Sequence, residues 1–318
     1  KDQFHKQLVG SRDSFGRIYR IASELDTLEA EEVIFRALHV LEDVMDNHSI
    51  AIYSIHQASR YARLEIHSSG LAGQVEKSLV LGDYPELMDC IEQGQTYQNK
   101  MMKPGLPAYF VPIKHDGMTI AGVAVWNASF EQNSLYYFNL LSVVCGLIQS
   151  SLSRVAVFMD ANARKYYIPG TKILLPENFA RVLKIKNRMK ENKLGDYLLV
   201  KVEMEFDRQS PQAWESLNTL ISGVVRAEDY AGVSADGTCY ILFAQANPEN
   251  EATILRRLGQ RGLPCRLVKE PFPRLLAGFT GPAAAAFYGA VRKTGPLNSG
   301  NYTSAKRGTG QLSEMNKS

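Results

Sequence analysis

Apolar residues in the first half of the chain switch between a spacing of three to four and a spacing of one to two, the mark of helices alternating with strands. Phe15, Ile18, Ile21 or Ala22, and Leu25 recur at helical spacing and predict a short lead-in helix within residues 1–27. Val33, Ile34, Ala37, Leu38, Leu41 and Val44 fall on one helical face, with Glu31 and Glu32 in the favourable first turn, until Asp46-Asn47 breaks the pattern. Strands are predicted at 49–55 and 62–69, then a short helix that ends near Gly94 and is followed by a strand. Pro107–Ile113 and Thr119–Trp126 are joined by Lys114-His115-Asp116-Gly117, and Asp-Gly between two apolar runs predicts a hairpin. Leu135 to about Val157 is a long helix with apolar residues on most sides. This order makes an α+β domain over 28–157, its antiparallel sheet covered by helices on one face.

Residues 158–172 carry Asn162, Arg164, Lys165, Pro169 and Gly170 and read as a linker. Pro176 then opens a helix through Phe179, Val182, Leu183, Ile185 and Met189, since Pro is well tolerated at a helix start. Asp196–Met204 is a strand of the buried type, Trp214–Arg226 a helix, and Thr238–Ala244 a strand after a turn at Asp236-Gly237. Glu249–Leu258 is a helix stopped by Gly259 and Gly262, and Cys265–Val268 a short strand. The result is a second domain of α/β type over 173–280, a central sheet flanked by helices. From 281 to 318 Ala, Gly, Ser and Thr dominate, the composition of a disordered tail.

Composition narrows the function. With 45% hydrophobic and 22% charged residues the chain is globular in character, and at 318 residues it is long enough for two cores. A net charge of +3 argues against DNA or RNA as partners, although it leaves room for a local basic pocket. Cys90, Cys145, Cys239 and Cys265 are far apart and form neither zinc spacing nor a disulfide framework, which fits a reducing setting. His39, His48, His56 and His67 have no metal-ligand spacing either. No run of 18 apolar residues is present, so no span is expected within the chain. Because it opens at Lys1 without an initiator Met, it is expected to be the cytoplasmic fragment of an inner- or plasma-membrane-anchored protein.

One motif carries chemistry. Arg226-Ala-Glu-Asp229 is the sole Arg-x-x-Asp of the chain, and Ala235-Asp236-Gly237-Thr238-Cys239 and an apolar strand follow it. An Arg fork can pair with guanine O6 and N7, and a carboxylate can accept from guanine N1 and N2. The same pattern also suits an ordinary surface ion pair, worth ~0–1 kcal/mol. In element order and in this motif, residues 163–275 resemble a GGDEF domain, the family that makes cyclic di-GMP from two GTP molecules. Residues 28–157 resemble a GAF domain, through ALHVLEDV, SIAIYSI and YFVPIKHDGMTIAGVAVW. Over about 15–275 the combination resembles the PelD-like cyclic di-GMP receptors.

The resemblance implies a receptor rather than an enzyme, with no catalytic residue, metal or cofactor. Where the family has an acidic signature loop this chain has Gly237 and Thr238, with Asp236 displaced by one. Glu203 or Glu205 is a loose substitute for the first-strand Asp, the guanine-holding Asn-Asp-x-x-Gly-His segment is absent, and no His follows His115. The implied ligand is cyclic di-GMP, taken as a stacked pair at an inhibitory-type site made by Arg226, Asp229 and Arg257. Arg256 and Arg261 are the near alternatives for the third position, and Arg20 or Arg17 supplies a further arginine. Implied partners are membrane proteins of Pel-type exopolysaccharide synthesis and export, and a second copy of the chain through the 135–157 helix. Tyr53, Tyr109 and Trp126 read as core rather than as the lining of a GAF pocket.

Overall fold

The structure, a computed structural model, describes residues 16–56, 60–282, 284 and 287. Residues 16–24 are helical (α1), with Ile21 and Leu25 buried. Helix α2 (Ala30–Met45) follows, and Asp46 ends it in the left-handed region at φ 46°. Strands β1 (Ile50–His56), β2 (Tyr61–His67) and β3 (Ser78–Val80) lead to helix α3 (Pro85–Gln93). Next come β4 (Tyr97–Gln98), β5 (Tyr109–His115), β6 (Met118–Val125) and the long helix α4 (Leu135–Ala161). The six strands form one antiparallel sheet in the order β3-β2-β1-β6-β5-β4. Asp116 and Gly117, both at positive φ, turn β5 into β6, as the Asp-Gly signal predicts.

Both faces of this sheet are covered, which corrects the expectation of helices on one face only. Ile50 and Ile52 of β1 enter a core with α2 and α4, whereas Ala51, Tyr53 and Ile55 enter a second core with Leu87 and Ile91 of α3. Strand side chains alternate between faces, so a strand apolar at nearly every position cannot leave either face to water. Tyr53 and Tyr109 are fully buried within these cores.

By length and composition helix α4 is apolar enough to cross a membrane. Its Leu141, Val144, Cys145, Ile148 and Leu152 are nonetheless part of the core shared with α2 and the sheet. Residues 158–172, read as a linker, hold the last turn of α4 and helix α5 (Ala163–Tyr166). The tail from 288 lies outside the described residues.

The second sheet has the order β10-β7-β9-β8 and is antiparallel throughout. It is built from β7 (Tyr197–Val202), β8 (Tyr230–Val233), β9 (Cys239–Ala244) and β10 (Cys265–Leu267). Helices α7 (Pro211–Ser222) and α8 (Glu251–Gln260) pack on one face through Trp214, Leu217, Ile221, Ile254 and Leu258. Helix α6 (Pro176–Glu191) and α9 (Phe272–Ala277) pack on the other through Phe179, Leu183 and Leu275. α7 begins one turn earlier than its apolar pattern predicts, because Ser210 caps it by accepting from Ala213 N and Pro211 takes the first position.

α6 is shared between the two sheets. Phe179, Val182 and Leu183 face the second sheet, whereas Ile185 and Met189 enter the core of the first. Polar bonds finish the junction. Lys186 Nζ lies 3.3 Å from Glu65 with both side chains buried, Arg188 donates to Glu32 at 2.6 Å, and Gln245 Nε2 donates to the Glu65 carbonyl at 2.9 Å.

Candidate functional site

The Arg226–Asp229 segment is the turn between α7 and β8. Its spacing has a local cause: Asp229 Oδ2 accepts the Arg226 N–H at 2.8 Å, and the Arg226 carbonyl accepts the Asp229 N–H at 3.3 Å. The other carboxylate oxygen, Oδ1, accepts from Ala244 N on β9 at 3.0 Å, which staples the turn to the sheet. Each oxygen keeps a lone pair free for a further donor. Burial pushes the Asp229 carboxyl up to about 6, aided by the charge of Glu228 and opposed by the two backbone donors and the Arg226 charge.

Residues on either side of Asp229 reach the first sheet. Glu228 is buried and lies 3.9 Å from Arg63 Nε on β2. Tyr230 donates its hydroxyl to Glu31 on α2, and its ring lies 5.6 Å from the Lys186 ammonium. Burial and the neighbouring carboxylates hold the Tyr230 hydroxyl well above the ordinary range.

Arg226, Asp229 and Arg257 line one cavity of about 250 Å³. Arg257, on α8, has its guanidinium 5.8 Å from the Phe243 ring, and its Nε is buried with no partner. Leu64 and Ser78 of the first sheet and Lys77, the residue before β3, line it as well. Arg226 and Asp229 also line a larger cavity of about 380 Å³, beside Glu31, Tyr167, Arg181 and Asn218. The turn therefore borders two cavities.

The remaining candidates lie elsewhere. Arg256 and Arg261 are exposed and do not line the Arg257 cavity. Arg20 and Arg17 line a separate cavity of about 240 Å³ between α1 and α2, with Glu24 and Asp43. Lys77 and Ser78 carry no signal in the sequence: they stand next to the motif only once the sheets are packed. In the turn between β8 and β9, Asp236 accepts from Ser234 Oγ at 2.6 Å and from Thr238 N at 3.0 Å. Burial alone would raise its carboxyl, but these donors and the nearby Arg208 outweigh it and hold the group below its usual range. Glu203 pairs with Arg266 at 2.7 Å. Among the described residues no group of three His, Cys, Asp or Glu could hold a metal ion.

No family model matches the chain, and no curated protein matches it. Among solved structures the chain is similar to PelD 156–455 from Pseudomonas aeruginosa PA14 in complex with c-di-GMP, at 16% identity and a TM-score of 0.34, covering 83% of this chain and 96% of that one. A complex of PelD from strain PAO1 with c-di-GMP is similar at 17% identity and a TM-score of 0.34, covering 84% and 97%. The GAF domain of an Acinetobacter phosphoenolpyruvate-protein phosphotransferase is similar at 17% identity and a TM-score of 0.36, covering 47% of this chain and 95% of that one.

Proposed function

We propose that this chain is a receptor for cyclic di-GMP that binds the dinucleotide at Arg226, Asp229 and Arg257. The observation that carries the reading is their convergence: Arg257 lies far along the chain from the motif, yet all three line the same cavity, and Arg257 brings a buried nitrogen without a partner. Two guanidinium forks and a carboxylate are the groups that read a guanine edge and grip a phosphodiester. In this reading residues 28–157 are a GAF-like domain and 173–280 a degenerate GGDEF-like domain that does not make the dinucleotide. Two local facts support the loss of synthesis: Asp236 is consumed in capping its own turn, and Glu203 is paired with Arg266.

The receptor acts in the cytoplasm beside membrane proteins of Pel-type exopolysaccharide synthesis and export, and the ligand sets their output. It does so as a homodimer through α4, whose Val143 and Val157 are exposed apolar residues. The mass of a single chain at high concentration in solution would exclude the dimer, and unchanged polysaccharide from cells carrying Arg226→Ala would exclude the output.

The deciding experiment is calorimetric titration of cyclic di-GMP into the intact chain, with GTP as control. The expected result is saturable binding with no response to GTP, lost in Arg226→Ala while the far-ultraviolet spectrum is unchanged. Absence of binding by two methods overturns the reading and leaves a scaffold that binds no nucleotide.

A further inference from the structure

Three cations line the cavity of about 250 Å³: Arg226, Arg257 and, from the bend that leads into β3, Lys77. None of the three has a carboxylate partner among the described residues. Two carboxylates also line the cavity: Glu228, which faces Arg63, and Asp229, whose oxygens each accept one backbone N–H and keep a lone pair for a further donor. With Glu228 facing Arg63 and Asp229 closing its own turn, the three cations keep donors to spare, and a phosphate oxygen is the acceptor that suits them. Lys77 is well anchored for this task, since its carbonyl accepts from Leu64 N at 3.0 Å and its neighbour Ser78 begins the edge strand β3. The neighbouring Arg63 donates to Ser78 Oγ while also facing Glu228, so the edge of the first sheet is already tied to the residue next to Asp229.

We propose that Lys77 is a phosphate-binding residue of this site, so that the ligand is held across the junction and its arrival fastens the edge of the first sheet to the Arg226–Asp229 turn. The inference rests on the receptor reading above and adds to it a wall from the other sheet. An ammonium on a flexible stem serves here as a point charge, whereas the arginines supply directed forks.

The test uses the intact chain and cyclic di-GMP. Affinity is measured for wild type, Lys77→Gln, Lys77→Glu and Arg226→Ala at two salt concentrations, with amide hydrogen exchange in parallel. Lys77→Gln is expected to weaken binding about five- to tenfold and to flatten its salt dependence, and Lys77→Glu to weaken it further. In wild type the ligand is expected to slow exchange at residues 61–67 and 78–80. If wild type binds and Arg226→Ala does not, but both Lys77 variants match wild type in affinity and salt dependence, the inference falls and the receptor reading stands. If wild type does not bind, the receptor reading falls and takes the inference with it.

Discussion

At Asp229 two demands meet in one carboxylate. It closes its own turn by accepting two backbone N–H groups, and it presents its remaining lone pairs to the cavity. Burial makes the ionised form costly, so the carboxyl is pushed from 3.8 up to about 6. A raised acid in the folded state holds its proton more readily than in the unfolded chain. Its own contribution to stability is therefore present at low pH and is lost as pH rises from about 4 to about 6. A guanine that donates to the carboxylate needs the ionised form, so the dependence of binding has the opposite sign. At pH 5, one unit below the group's midpoint of about 6, roughly a tenth of the carboxylate is ionised, and affinity for cyclic di-GMP should fall about tenfold from its value at pH 7.5. Asp229→Asn should flatten this profile. An equally steep profile in Asp229→Asn would move the titrating group elsewhere.

Strand β8 shows how an element escapes notice. Tyr-Ala-Gly-Val is short, and a glycine inside it reads as a break rather than as a pleat position. The glycine is there because Phe179 of α6 lies against it: a Cβ at Gly232 would overlap the Phe179 ring. β8 is the strand that follows the Arg226–Asp229 turn and sits beside β9, so its pairing brings the Asp229 carboxylate within 3.0 Å of Ala244 N. Gly232→Ala should destabilise the fold by about 1–3 kcal/mol through overpacking, visible as a lower denaturant midpoint. An unchanged midpoint would mean that α6 is free to move away from the sheet. The hairpin of β5 and β6 is the opposite case. Its Asp116-Gly117 pair has one favoured backbone solution, so the element is legible from two letters.

For the whole molecule the decisive feature is the junction. α6 serves both cores, and Lys186 and Glu65 meet there with side-chain exposures of only 5% and 8%. Burial raises the Glu65 carboxyl, and Lys186 opposes that rise. Breaking such a pair leaves one uncompensated group, so Lys186→Ala should cost about 3–5 kcal/mol, whereas Glu65→Leu with Lys186→Met should come much closer to wild type. Chemical denaturation of the three proteins checks this. A single variant no worse than the double would show that the pair is not coupled. The candidate cavity lies beside this junction and takes one wall from each sheet, so loosening the pair should also weaken ligand binding.

The order of the helices and strands apart from β3, β8, α5 and α9, the Asp-Gly hairpin, the long apolar helix and the Arg226-to-Asp229 spacing were legible from the sequence alone. Each of these follows from periodicity or from backbone preferences that act within a few residues. The resemblance, carried by that spacing and by the order of elements, also pointed to Arg257 as the third residue. Coverage of the first sheet on both faces, the sharing of α6, the arrival of Lys77 and Ser78 near Asp229 and the pairing of Glu228 with Arg63 were decided by tertiary structure. These depend on contacts between residues far apart in the chain, such as Arg63 with Glu228 and Lys186 with Glu65, and no local pattern encodes them. An exposed lysine and a buried glutamate look alike in a sequence until packing gives one an empty cavity and the other an arginine.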